Sequence, residues 1–479
     1  MTAILGFLPD VDASTPGAIT DCAGVIPALS GMKAAPSLVS VTGVPALAAA
    51  CRNAAIATKL DGTRRVFAGT STKLYELSGG AWSDVSRGGN YSLGTDDRWS
   101  FAQFGDASLA VNASNVVQRS NGSGAFANIA TAPQAVCIVA AAGFVVAFAT
   151  NAGNDYWHCC AYLDDTSWTT SVSTQATSGR LVSTPGAITT AKAFGDQIVA
   201  YKDRSLYLGR YVGSPSVWQW DVVPGEVGCV GPDAVDDLGG LGHVFVGRSD
   251  IMMFDGTRPV SIAEGQIREW FFRNCSQLYL YKTIVRHDKQ NGLVWIFYPS
   301  SNSTVCDEVV VYHLAKRQWG RVTTTIECAL NYIAAGATID GLSSFSSTID
   351  GLPTVSIDSQ YWLSGGRNLS VMTSAHQLAS FIGAAGSSTI ALFEIGDDEA
   401  VTSLTRLRVG YQRAPTSATA SGQAKMSRGE AYAAVGSGAY SAGKFDLRQT
   451  GRFHKCTVTA SGDWLAAVVD FDLTRAGMR

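Results

Sequence analysis

From Ala193 the sequence reads AFGDQIVAYKDRSLYLGRYVGSPSVWQWD, and from Gly242 it reads GHVFVGRSDIMMFDG. β-Branched and aromatic runs of this length favour strands, and the Asp, Ser and Gly residues that interrupt them favour turns. The two runs therefore predict two antiparallel hairpins in succession. The predicted strand pairs are 197–202 with 206–208, and 244–246 with 251–254.

The same patterns recur along the chain. A Phe-Gly-Asp turn enters a strand twice, segment 66–79 matches segment 244–256, and a strand–turn–Trp phrase occurs at 75–82 and again at 312–319. Repeated hairpins with an aromatic phrase in each unit indicate a β-propeller, whose four-stranded blades pack against one another. The spacing leaves the number of blades open. The predicted propeller-repeat residues are Phe104, Gly105, Asp106, Phe194, Gly195, Asp196, Asp255 and Gly256.

The predicted fold class is all-β: a β-propeller with an additional C-terminal antiparallel β domain and an extended N-terminal arm. Residues 1–60 are rich in Pro and Ala without periodicity, which predicts an arm with little structure of its own and a short Ala-rich helix near 46–57. The propeller is predicted over 61–364 and the C-terminal domain over 365–479. Within that domain, the Ala/Ser/Gly-rich segment 414–443 predicts a long flexible loop, or a hairpin that orders only against a partner.

A ten-residue repeat precedes the predicted domain boundary. The pentapeptide TIDGL occurs at 338–342 and again at 348–352. Both copies predict turns that frame the last propeller unit, near 361–363.

The composition argues against several classes of function. Charged residues are 16% of the 479, the net charge is −3, and no apolar run reaches the length of a membrane span. The six His and ten Cys residues have no zinc-site spacing, and no nucleophile elbow or phosphate-binding loop occurs. We therefore predict no enzyme activity, no metal, no cofactor and no membrane insertion, with reduced and mostly buried cysteines.

One segment is unusually basic. Between 406 and 455 the sequence has nine basic residues and two acidic ones, just after an acidic cluster at 394–399. The simpler interpretation is an outward strand face, and the sharper one is a surface that meets DNA or an acidic partner. The candidate partner- or DNA-facing residues are Arg406, Arg408, Arg413, Lys425, Arg428, Arg448, Arg452 and Lys455.

Several of these phrases, in this order, resemble the tail nozzle or hub proteins of short-tailed bacteriophages, which are also called packaged-DNA stabilisation proteins. The resemblance covers most of 60–479. It rests on WSFAQFGDASLAVN at 99–112, on the segment 194–256 with YVGSPSVW at 211–218, and on GRFHK at 451–455 with GDW at 462–464 and AGMR at 476–479.

The resemblance implies a structural virion protein and several partners. It would form a homo-oligomeric ring, of six copies, below the head–tail adaptor, and would hold tail spikes, fibres or a needle. The ring would continue and gate the channel for packaged double-stranded DNA, without sequence specificity. The protein would be made in the host bacterial cytoplasm and reside in the virion tail.

The main alternative is a glycan- or receptor-binding β-propeller. Such a site needs clustered exposed aromatic rings, and Trp168, Trp218 and Trp220 are the candidates in the sequence. Alternatively, these tryptophans are core residues that pack between blades. A propeller hydrolase is a third alternative, but the paired aspartates at 96–97, 164–165 and 236–237 all fall where turns are predicted.

Overall fold

The N-terminal segment of the computed structural model is built of short strands, each paired with a distant part of the chain. The structure describes residues 1–333, Thr348 and residues 367–478. The predicted turns at 338–342 and 348–352 and the predicted unit near 361–363 therefore lie outside the described residues, apart from Thr348. The first six strands are β1 (Thr2–Ala3), β2 (Gly6–Phe7), β3 (Ala18–Ala23), β4 (Val25–Ala28), β5 (Gly31–Ala34) and β6 (Ser37–Ser40).

Five separate four-stranded antiparallel sheets follow, and each is one propeller blade. Each blade is a meander, because consecutive strands are joined by tight turns. The first three blades are β7–β10 (Asn53–Thr58, Arg64–Gly69, Leu74–Ser78, Ala81–Asp84), β11–β14 (Ser100–Phe104, Ala107–Asn112, Asn115–Asn121, Ala127–Asn128) and β15–β18 (Ala135–Ala141, Phe144–Thr150, Gly153–Cys159, Thr177–Arg180). The next two are β19–β22 (Ile188–Phe194, Gln197–Lys202, Leu206–Gly213, Val217–Val223) and β23–β26 (Val235–Asp237, His243–Val246, Ile251–Phe254, Pro259–Ser261).

Two further four-stranded units complete the ring within a larger sheet. After the helix α1 (Arg268–Asn274) come β27 (Ile284–Asp288), β28 (Leu293–Tyr298), β29 (Cys306–His313), β30 (Gln318–Ile333), β31 (Arg367–Thr373) and β32 (Leu378–Gly383). The sixth unit is β27–β28–β29 with the first half of β30. The second half of β30 pairs with β31, then come β32 and the N-terminal strand β6, which form the seventh unit.

The circle closes where β30 packs against β27 on one side and β7 on the other. The innermost strands are therefore β7, β11, β15, β19, β23, β27 and the second half of β30, each in contact with the next. The β-propeller prediction is confirmed, and the residues that the structure describes form seven four-stranded units around the ring, five of which are separate sheets.

The remaining strands form a β-sandwich beside the propeller. They are β33 (Ser387–Leu392), β34 (Ile395–Gly396), β35 (Ala400–Arg413), β36 (Ser417–Lys425), β37 (Ala433–Ser441), β38 (Lys444–Gly451), β39 (Phe453–Ser461) and β40 (Leu465–Met478). One sheet has the order β2–β3–β33–β39–β36–β37, with β34 also beside β39. The other has β35 between β38 and β40, with β1 and β5 along the far edge of β40.

Three domain predictions need correction. The N-terminal segment is extended, but it is not a free arm, because Phe7 and Ile19 are fully buried in the core that the sandwich shares with the propeller. In place of the expected helix near 46–57, the chain has an irregular stretch over 46–52 and then β7, the innermost strand of the first blade. The propeller also extends past 364 to β32, because ring closure requires the seventh unit.

The segment 414–443 forms two paired strands rather than a long loop. β36 lies between β39 and β37, so it is ordered by strands of its own chain. The alternation of small residues in SATASGQA at 417–424 places every second side chain in the sandwich core. The low-complexity composition therefore reflects close packing against β38, where a Cβ atom at Gly422 would lie 1.8 Å from Oε1 of Gln449.

Candidate functional site: the propeller channel and the outer face of the sandwich

A polar channel runs along the axis of the propeller between its innermost strands. It contains two cavities of about 320 and 260 Å³. Both are lined by Ala54, Lys192 and Arg286, so they belong to one channel. Small side chains on the inner strands leave this space open, as in other propellers.

Asp233 is the central acidic group of this channel. Its carboxylate pairs with Arg98 and Arg286, the latter at 3.3 Å, and accepts a hydrogen bond from Nδ2 of Asn53 at 3.1 Å. Burial by itself would raise the pKa of Asp233, but the two guanidinium groups lower it to about 2. Arg286 also donates to the backbone oxygen of Ala329 at 2.7 Å. The network thus joins the first, fifth, sixth and seventh units.

Two further polar groups on the blades around the channel make contacts between neighbouring blades. Lys192 lies 3.9 Å from Asp236, which accepts a hydrogen bond from the backbone N–H of His287 at 2.8 Å. His243 bonds to the hydroxyl of Tyr201 at 2.8 Å and to the Ala193 carbonyl at 2.9 Å, and burial lowers its pKa. These contacts hold neighbouring blades together. In the described residues, no group of three or more His, Cys, Asp or Glu is arranged to hold a metal ion.

The predicted propeller-repeat residues occupy turns at blade edges. Gly105 and Gly195 lie in the first hairpin turn of the second and fourth blades, both with positive φ. Asp255 accepts from the backbone N–H of Thr257 at 2.9 Å and begins the last turn of the fifth blade. A Cβ atom at Gly256 would lie 2.8 Å from the ring of Phe194 in the fourth blade. The repeats therefore have a structural role in turns and in contacts between blades.

Most of the predicted basic residues are paired with carboxylates of the same chain. Strand pairing places Arg406 opposite Asp472 and Arg408 opposite Asp470. The ion pairs are Arg406 with Asp446 and Asp472, Arg408 with Asp470 and Asp472, Arg413 with Asp463, Lys425 with Glu394, and Arg428 with Asp398. Only Arg448, Arg452 and Lys455 of the eight form no ion pair with a described residue.

The segment that looked basic is therefore a mixed-charge surface. Its excess of positive charge arose from counting 406–455 alone, because most of the partner carboxylates lie before or after that window. Surface pairs of this kind contribute little to stability, about 0–1 kcal/mol each. The paired carboxylates nevertheless cancel much of the positive electrostatic potential that would attract a DNA backbone.

The tryptophans of the alternative glycan-binding interpretation are mainly core residues. Trp168 is completely buried, and Trp218 is 4% exposed. Trp220 packs against Trp157, with ring centroids 5.5 Å apart, and against Trp218 at 6.0 Å. Packing between and within blades accounts for all three.

A feature that the sequence interpretation missed is the outer face of the sandwich sheet that contains β36. Register places hydroxyl and small side chains in rows across β33, β39, β36 and β37. One row is Thr389, Thr459, Thr419 and Ala439; the next includes Thr457, Ser421 and Ser437; a third is Ser387, Ser461 and Ser417. We call these ten residues the hydroxyl face.

The ten residues of the hydroxyl face are uncharged, but Lys455 continues the same side of β39 and Asp21 lies in register at the far end of the second row. In the described residues, the sheet ends at an open strand edge. Residues 433–439 of β37 pair only with β36, and no residue of β37 is buried. Natural proteins usually protect such edges with charges, Pro or bulges. The alternation of Ser and Thr in 417–421 and 457–461 was the available signal in the sequence.

Comparisons with known proteins give no family. No family profile matches the chain, and no curated protein matches it. Among solved structures, "YCF48 bound to D1 peptide" has 11% identity and a TM-score of 0.39, and covers 74% of this chain and 97% of its own.

Two other propellers give similar values. BamB from Moraxella catarrhalis has 12% identity and a TM-score of 0.38, with 75% of this chain and 96% of BamB covered. The Neurospora crassa Pan2 WD40 domain has 9% identity and a TM-score of 0.38, with 69% and 88% covered. At these TM-scores the likeness adds nothing about function, and the strand pairing itself defines the propeller.

No helix in the described part of the chain has the length and apolar character needed to cross a membrane.

Proposed function

We propose that this chain is a structural subunit of a ring, of the tail nozzle or hub type, that continues and gates a DNA channel below a head–tail adaptor. The observation that carries the proposal is the hydroxyl face with its open β37 edge. Interface cores are depleted in charged side chains, but also in Ser and Ala, so the open edge of β37 is the stronger part of this observation. An exposed strand edge can add a strand from another protein.

The partner that we propose for this face is a second copy of the chain. An uncharged face can lie against a neighbouring copy without burying an unpaired charge, which would cost several kcal/mol. The unpaired backbone groups of β37 can in addition accept a strand from the neighbour. Repetition of such a contact around an axis closes a ring.

The phrases shared with nozzle and hub proteins support the same proposal. The phrase at 99–112 forms the first hairpin of the second blade, the segment 194–256 covers most of the fourth and fifth blades, and the phrases at 451–464 lie in the sandwich. The proposed partners are further copies in a hexameric ring, the head–tail adaptor, tail spikes, fibres or a needle, and double-stranded DNA without sequence specificity. The proposed location is the virion tail, after synthesis in the host cytoplasm.

Light scattering with negative-stain imaging tests this proposal, with the full chain alone and mixed with a dodecameric adaptor. We expect a ring with an axial hole, formed alone or only on the adaptor. A monomer that does not bind the adaptor would overturn the proposal. A glycan screen on that monomer would then test the alternative, a glycan- or receptor-binding propeller.

Two substitutions test whether the hydroxyl face makes the contact. Thr419 and Thr459 are exposed, directly paired neighbours at the centre of the face. The double variant Thr419→Lys/Thr459→Lys should remain folded but lose ring formation, because two ammonium groups would be buried without partners. The matched control is Ser83→Lys on the exposed outermost strand of the first blade. Rings formed by the double variant as readily as by the control would exclude this face.

A further inference from the structure

Two buried thiols meet at the point where the propeller ring closes. Cys51 lies two residues before β7, the innermost strand of the first unit, and Cys328 lies on the innermost strand of the seventh. Their sulfur atoms are 3.5 Å apart, although 277 positions separate them in the chain. All ten cysteines are free thiols, and this is the one Sγ–Sγ contact at that distance in the described chain.

The backbone around the two thiols is held in place from both strands. The backbone N–H of Cys51 donates to Oε2 of Glu327, the neighbour of Cys328, at 2.7 Å. The other oxygen of Glu327 contacts Nδ1 of His376 at 2.6 Å. A disulfide bond needs sulfurs roughly 2.05 Å apart, so its formation requires the two sulfurs to approach by about 1.5 Å.

One of the two cysteines borders an internal cavity. Cys51 lines a cavity of about 210 Å³, together with Cys306, Arg52 and Lys282. The cavity is large enough for several water molecules, and therefore for a hydroperoxide. Cys328 does not line it and has no exposed surface. Burial raises the pKa of the Cys51 thiol, so its oxidation should be slow at neutral pH.

We propose that Cys51 and Cys328 form a reversible disulfide that fastens the first propeller unit to the seventh. Cys51, as thiolate, attacks one oxygen of a hydroperoxide; the S–O bond forms, the O–O bond breaks, and an alcohol or water leaves. The sulfur of Cys328 then attacks the Cys51 sulfenic acid, the S–S bond forms, and water leaves with the proton of the second thiol. The two thiols are oxidised, the peroxide is reduced, and an external dithiol reverses the reaction.

This proposal does not depend on ring assembly, and peptide mapping tests it directly. The full chain is treated with hydrogen peroxide, the remaining thiols are alkylated, and cross-linked peptides are identified by mass spectrometry. We expect one cross-link, between Cys51 and Cys328, with the loss of two hydrogen atoms and reversal by dithiothreitol. A Cys51–Cys306 cross-link, or Cys51 that stays a thiol or a sulfenic acid in the wild type, would overturn the proposal.

Three variants separate the two steps. Cys328→Ser should leave Cys51 as a sulfenic acid that a 1,3-dione reagent traps, whereas Cys51→Ser should leave Cys328 reduced. Cys306→Ser is the matched control, because Cys306 lines the same cavity, and it should form the cross-link like the wild type. If a variant fails to fold, the wild-type peptide map still decides the proposal.

The cross-link should also make the closed propeller of each chain more stable. Oxidised wild type should have a higher Tm than the reduced protein, because the bond closes a very long loop and restricts the unfolded chain. Oxidation should leave the Tm of Cys51→Ser unchanged, and it should not raise the Tm of Cys328→Ser, in which Cys51 stops at the sulfenic acid. An oxidised wild type with an unchanged Tm would exclude a fastening role, even if the bond forms.

Discussion

At the scale of single residues, Asp233 links several blades in the interior of the propeller. It is the only carboxylate of the described channel that bonds two guanidinium groups, and its pKa of about 2 reflects how strongly they favour its charge. Charge pairs this deeply buried are weak sources of net stability, but removing one partner leaves the others uncompensated. The network therefore specifies how the first, fifth, sixth and seventh units meet.

The first prediction concerns Asp233→Asn, which should lower the free energy of unfolding by about 3 kcal/mol at pH 7. Because the folded pKa lies below the usual 3.8, the carboxylate's contribution is complete above about pH 4 and is lost as the pH falls through about 2. The difference between wild type and variant should thus shrink across that interval, as measured by urea unfolding.

A surface carboxylate supplies the control for this prediction. Asp463→Asn removes an exposed partner of Arg413 and should cost less than about 1 kcal/mol at pH 7. If Asp233→Asn were as mild as this control, or equally costly at pH 3 and pH 7, the assigned role of the buried carboxylate would be wrong.

At the scale of elements, the N-terminal strands are structural parts of both domains. β6 is the outermost strand of the seventh propeller unit, and β1 to β5 belong to the sandwich or connect it to the propeller. Their sequence has no clear period, since each strand is short and faces a different surface. Strands of only two to six residues are too short to be predicted from hydrophobic periodicity alone.

The second prediction uses Phe7 in β2. Its ring is completely buried and meets the edge of Trp270, with centroids 4.9 Å apart. Phe7→Ala should destabilise the protein by about 3–5 kcal/mol, because it leaves a cavity in the shared core. Thermal unfolding measures the effect. Leu29→Ala, at a side chain 69% exposed in the same segment, should stay within about 0.5 kcal/mol of wild type. If both substitutions had equally small effects on stability, the N-terminal segment would be an arm with little structure of its own, as the sequence predicted.

At the scale of the whole molecule, the propeller and the sandwich are one continuous structure. β30 of the sixth unit pairs with β4, β4 with β5, and β5 with β40 of the sandwich. A single buried cluster contains Phe245 of the fifth blade, Trp319 of β30 and Trp464 of the sandwich. Neither part can open without exposing the core of the other.

The third prediction is a single unfolding transition for the full chain. Far-ultraviolet circular dichroism and tryptophan fluorescence should give coincident curves, and the calorimetric and van't Hoff enthalpies should agree. Two separated transitions would show that the shared sheet and core do not couple the propeller to the sandwich. An isolated fragment of residues 53–383 should fail to fold stably, because it lacks β6 and the N-terminal part of that core.

The sequence by itself determined the local units of this protein. Each repeated motif marks the same hairpin in two different propeller units. The motifs are the Phe-Gly-Asp turns, the matching segments 66–79 and 244–256, and the Trp phrases at 75–82 and 312–319. Hairpins are encoded by neighbouring residues, because turn chemistry and a two-residue period act over fewer than about twenty positions.

Tertiary structure alone decided how those units close and what their side chains meet. It placed β6 in the seventh propeller unit, brought Asp233 between Arg98 and Arg286, paired Arg408 with Asp470, and set Cys51 against Cys328. Each of these contacts joins residues that are 50 to several hundred positions apart. Nothing in the local sequence specifies such a partner, because only the closed ring and the shared core bring the two segments together.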